Sequence, residues 1–173
     1  FPYTTLFRSQ VHGQRMVERD FAPRARMTVQ LKDMRNAMAG NEFVPFFQPK
    51  MELATGRIVG TEALLRWQHV ERGLVPPLEF VPALEDSGLI VPIGEVVAHK
   101  VCRQLAAWRD QGLPLKPVSV NVSALQLKGD GLRTTLAENL ARFALPSSLV
   151  SIELTESSML DEDGIAQEEL ARL

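Results

Sequence analysis

Three segments far apart in this chain alternate apolar and polar side chains with period two, the pattern of a β-strand with two unlike faces. Within Arg57–Trp67, Glu62, Leu64 and Arg66 fall on one face while Ala63, Leu65 and Trp67 fall on the other. Within Val118–Ser123 the valines hold one parity and Ser119, Asn121 and Ser123 the other. Within Val150–Thr155, Val150, Ile152 and Leu154 alternate with Ser151, Glu153 and Thr155. Strands of a parallel sheet covered by helices usually read as nearly continuous hydrophobic runs. Polar parity in all three instead predicts a shared wet interior where Glu62, Asn121 and Glu153 converge. A carboxylate and a guanidinium on one side of an otherwise apolar strand are costly unless a partner, a metal or a ligand meets them there.

The segments between these strands read as helices. Phe43–Leu53 reads as a strand, and the short turn Ala54-Thr55-Gly56 before the Glu62 strand predicts an antiparallel hairpin. Pro76-Pro77 opens a short helix through Glu85, closed near Gly88. Ile93, Val97, Val101, Leu105 and Trp108 mark a longer amphipathic helix ending at Gly112 and Pro114. Leu132, Leu136, Leu140 and Phe143 define another, stopped by Pro146, and Ile165–Leu173 starts a last one. Upstream, Met27, Leu31, Met34 and Met38 recur at helical spacing, with Gly40 as the stop, after an arginine-rich linker over 10–26. Strand and helix in alternation are the grammar of a parallel α/β sheet. The polar residues fall toward the C-terminal ends of their strands, where barrel enzymes build their sites. Four strands are legible, half of an eight-stranded barrel.

Bulk properties narrow the function classes. A chain of 173 residues, 45% hydrophobic and 23% charged, suits one globular domain with a good core. Its net charge of −2 argues against a general binder of DNA, RNA or membrane surfaces, which wants a basic face. No apolar stretch is long enough to cross a bilayer. Cys102 is the only cysteine, so an internal disulfide is impossible and a reducing, cytoplasmic compartment is expected. Phe1–Ser9 resembles a translated short-read sequencing adapter rather than evolved protein, and carries none of a secretory signal's architecture.

Five ordered blocks now carry a resemblance. Phe47-Gln48-Pro49-Lys50, Thr61–Trp67, Pro77–Pro82, Ser119–Ser123 and Ile152–Glu156 resemble, in order and spacing, the EAL domain of bacterial phosphodiesterases that hydrolyse cyclic di-GMP to pGpG. The resemblance runs from about Asn41 to Leu173. It implies a TIM-like barrel with an antiparallel first strand, here truncated to about four of eight strands, and a site for two Mg²⁺ or Mn²⁺ ions. Carried over by motif, Glu62, Asn121 and Glu153 resemble metal ligands, and hard divalent cations do prefer carboxylate and amide oxygens. Gln48 resembles a substrate-contacting glutamine, Arg66 the arginine that holds a ligand phosphate, and Glu156 the glutamate that anchors a mobile loop. Blander readings stand beside these. Asn121 alone suits a strand-end turn, Glu153 a solvated edge, and Arg66 simple neutralisation of Glu62. Lys50 reads as a phosphate contact or, at least as well, as a solvated lysine. His69 reads as a surface loop residue, since no second histidine stands at metal spacing.

The resemblance also implies an aspartate pair on the next strand, then a lysine, a glutamate and a glutamine, all beyond Leu173. Asp161, Glu162 and Asp163 are not substitutes, lying in a loop before a helix. The expectation is an N-terminal piece of a phosphodiesterase, poorly folded and inactive by itself. Its partners are cyclic di-GMP, a second copy in a homodimer, and an upstream sensory or diguanylate-cyclase-like domain; the parent is expected in the cytoplasm, free or anchored to a membrane through regions outside this chain. The alternative is a degenerate EAL domain that binds cyclic di-GMP or a protein without cleavage. A barrel enzyme acting on sugars or acids accounts for the carboxylates but not for the five blocks.

Overall fold

The hairpin organises the sheet. In the computed structural model, which describes residues 31–154, strand β1 (Phe43–Met51) runs antiparallel to β2 (Ile58–His69). Gln48 faces Glu62 across the ladder and Lys50 faces Gly60. The connection turns at Gly56, whose φ of 67° suits glycine, and is closed by Gly56 N–H donating to Glu52 O at 2.8 Å. Beyond Trp67 the chain folds back again: β3 (Gly73–Val75) pairs antiparallel with Trp67–His69. The described sheet thus has five strands, not four. Three residues are too few to show a period of two, so β3 leaves no pattern in the sequence. His69 is accordingly the last residue of β2 rather than a loop residue. Its Nδ1 accepts the N–H groups of Glu71 and Arg72 at 3.1 and 3.3 Å, closing the turn.

Two parallel strands complete the order β1-β2-β4-β5. Strand β4 (Val118–Val122) lies parallel to β2 over Thr61–Ala63, and β5 (Val150–Leu154) lies parallel to β4 along its whole length. Helices α2 (Pro77–Asp86) and α3 (Ile90–Asp110) connect β3 to β4, while α4 (Ala124–Leu127) and α5 (Gly131–Arg142) connect β4 to β5. Pro77 starts α2 without penalty because its missing N–H has no partner in a first turn. Helix α4 is not anticipated by periodicity, being a single turn; the Ser123 N–H donates to Gln126 Oε1 at 3.0 Å at its start.

One face of the sheet makes the core. Phe43, Ala63, Trp67, Val118, Val120 and Val122 are all buried there against Ile93, Val97, Val101 and Leu105 of α3. Those four α3 residues recur every fourth position and so share one helix face. Phe43, Trp67 and Phe80 stack with centroids 5.5 to 5.8 Å apart, and Trp67 Nε1–H donates to Glu42 Oε2 at 2.8 Å. Helix α1 (Leu31–Ala39) joins the same core through Met34 and Ala37. Its left-handed terminal residue is Asn41, with φ of 58°, rather than the glycine before it. No described helix is long and apolar enough to cross a membrane. Glu156, Asp161–Asp163, the linker over 10–26 and the helix expected over Ile165–Leu173 lie outside the described residues.

Candidate functional site

The other face of the sheet is polar, and strand parity alone builds it. Ladder partners point the same way, so Gln48, Glu62, Ser119 and Ser151 form one row across β1, β2, β4 and β5. Asn121 and Glu153 are direct partners two residues further along. Glu62, Asn121 and Glu153 therefore stand on one side of three adjacent strands. Asn121 Nδ2 donates to Glu62 Oε1 at 2.7 Å. Asn121 and Glu153 are fourth of five residues in their strands, toward the C-terminal ends as expected. Glu62 is instead fifth of twelve in β2, because β2 continues past it to serve β1 and β3.

Lys50 is half-exposed, and its ammonium is already engaged within the sheet. Its ammonium donates to Ser119 Oγ at 2.6 Å and to Glu153 Oε1, reaching from β1 across β2 to β4 and β5. Ser119 Oγ also lies 3.4 Å from Thr61 O. Sequence reasoning missed this contact; the signal was Gly60, which clears the path between Lys50 and the far strands.

Arg66 shares the face but forms no described ion pair with Glu62. Its Nη1–H donates to Leu65 O at 2.8 Å. Burial draws the guanidinium's pKa down, and the Glu62 carboxylate on the same strand opposes that. A half-buried guanidinium satisfied mainly by one carbonyl keeps donors for an anion. Gln48 is exposed opposite Glu62.

The donor chemistry fits a hard divalent cation: two carboxylates, an amide and a hydroxyl gathered on one surface. Asn121 turns its NH₂ toward Glu62, and a half-turn of the amide presents Oδ1 instead. Among the described residues no group of three His, Cys, Asp or Glu side chains is gathered as a metal site. Glu62 and Glu153 therefore give an acidic but underfilled shell, which water, ligand oxygens or further residues would complete.

The architecture is a mixed α/β sheet with an antiparallel first strand and one polar face that carries Glu62, Asn121 and Glu153. The EAL domain family model matches residues 31–173, and this chain belongs to that family. It is 42% identical over 134 residues to cyclic di-GMP phosphodiesterase PdeR of Escherichia coli (strain K12), covering 78% of this chain and 20% of PdeR. It is equally 42% identical to the bifunctional diguanylate cyclase/cyclic di-GMP phosphodiesterase MucR of Pseudomonas aeruginosa, covering 77% of this chain and 20% of MucR. Among solved structures, the PaMucR phosphodiesterase in complex with c-di-GMP superposes with a TM-score of 0.74 at 38% identity, over 82% of this chain and 57% of that one. The chain thus spans about a fifth of these curated relatives and little more than half of the solved domain.

Proposed function

We propose that this chain carries the first part of a cyclic di-GMP phosphodiesterase site, with Glu62, Asn121 and Glu153 as ligands of Mg²⁺ or Mn²⁺. The observation that supports this most is that the three stand on one face of neighbouring strands although 59 residues separate the bonded pair Asn121 and Glu62. A divalent cation bound there would polarise a phosphodiester oxygen and lower the pKa of a bound water. The chain's own residues orient the substrate. Arg66 meets a phosphate through guanidinium donors left over from its bond to Leu65 O, and Gln48 offers an amide beside Glu62. Glu156 takes the loop-anchoring role by motif alone. A homodimer and an upstream sensory or cyclase-like domain complete the proposal; MucR carries both activities in its name.

By itself the chain is expected to be inactive, because the two carboxylates gathered among the described residues, Glu62 and Glu153, leave a two-ion shell unfilled. A chimera tests the reading: residues 41–154 replace the matched segment of PdeR, and pGpG formation is followed by chromatography with Mg²⁺. Hydrolysis that falls at least ~100-fold with Glu62→Gln supports it. The Lys50–Glu153 pairing favours one rival, a domain that holds cyclic di-GMP without cutting it. A chimera that binds cyclic di-GMP and forms no pGpG decides for that rival.

A further inference from the structure

We propose that Lys50 is a built-in competitor for the divalent cation at Glu153, an ammonium on a tether that must swing away before the ion settles. The inference rests on the metal reading of Glu62, Asn121 and Glu153 given above. Lys50 belongs to β1 and its partners to β4 and β5, with β2 lying between. A side chain crosses a neighbouring strand only where that strand offers no bulk. The β2 residue opposite Lys50 is Gly60, and a Cβ there would lie 4.0 Å from Lys50 Cδ and 3.2 Å from Pro117 O. The lysine stem passes over this gap and delivers Nζ to Ser119 Oγ and Glu153 Oε1. Ser119 is buried, so the ammonium has one fixed neutral anchor as well as its charged partner.

An ammonium and a divalent cation repel at the distance one carboxylate imposes. Occupation of Glu153 is therefore an exchange, with Lys50 leaving as the ion arrives. The pair is partly exposed, at 38% and 42% for the two side chains, so water screens it. Ion pairs of that kind shift an equilibrium by up to about fivefold. The lysine thus sets the free-cation concentration at which the site fills.

The test is a titration of the 173-residue chain with Mn²⁺, read by loss of the free-ion electron paramagnetic resonance signal. Lys50→Met and Lys50→Gln are expected to bind Mn²⁺ more tightly than the unaltered chain, by up to about fivefold. Lys50→Arg keeps the charge and is expected to stay within about twofold. Gln retains a hydrogen bond to Ser119, so it decides the matter should the Met variant fail to fold by circular dichroism. Unchanged or weaker Mn²⁺ binding in the folded neutral variants overturns the proposal, as does equal tightening in Lys50→Arg. Glu153→Gln separates that failure from a failure of the metal reading. If it takes up Mn²⁺ as well as the unaltered chain, or if neither takes it up, the ion does not sit at Glu153 and the proposal falls with the site.

Discussion

Gly94 shows how closely single residues are specified. It faces Gln126 across the α3–α4 contact, where a Cβ would come within 1.8 Å of Gln126 Nε2. The glutamine cannot simply retreat, since it is buried and its Oε1 accepts the Ser123 N–H. Gly94→Ala should therefore cost roughly 1–3 kcal/mol in urea unfolding. The double variant with Gln126→Ala should cost less than the sum of the two single changes, because the clash is then gone. Ala144 is the opposite case. It ends α5 at φ of 50°, where Leu145 N–H reaches back to Leu140 O at 2.9 Å, a position that favours glycine. Ala144→Gly is expected to raise stability by about 0.5–1 kcal/mol, visible as a higher midpoint of thermal unfolding.

At the scale of elements, β1 is an edge of the sheet among the described residues, and its prolines limit what can pair there. Thr61 N–H donates to Pro117 O, away from β1, so the Thr61–Pro49 pair is one without hydrogen bonds between its members. Pro49 and, at the same parity, Pro45 therefore place their donorless nitrogens on the open side of the sheet. That blunts the edge against pairing with another strand. Replacing both by valine should increase self-association, measured by light scattering at matched concentration; no increase would show that the edge is covered in some other way. The longer elements were legible because each runs through several periods: β2 through its parity, α3 through its four-residue stripe. Strand β3 and helix α4 were not, because three and four residues hold no period and are fixed by what they cover, Trp67 and the end of β4.

Across the whole molecule, Cys102 reports on global opening. The thiol is fully buried in α3, and burial pushes its pKa up to about 11. At pH 8 only about one thiol in a thousand is ionised, so iodoacetamide should label it only after unfolding. The sign of the linkage follows. The folded pKa is raised, so the stabilisation is intact below about pH 9 and declines as pH climbs toward 11, where unfolded thiol ionises first. Constancy of the unfolding free energy from pH 8 to 10.5 in a comparison with Cys102→Ala would contradict this. The site was half legible at this scale. Parity placed Glu62, Asn121 and Glu153 on one face, but only the order of strands reveals that Lys50 can reach Glu153.

That order gives β2 a double role. It joins the β1 hairpin to the parallel strands through a ladder of just three residues, Thr61–Ala63, and Glu62 is the middle one. The hairpin aligns Gln48, Lys50, Glu62 and Arg66 on one face through local pairing, which forms fast. Asn121 and Glu153 arrive only when the narrow seam zips. Loosening the seam by one rung would scatter the acidic cluster while leaving both flanking layers intact, so ion uptake should be lost at a lower temperature than helical and strand signals.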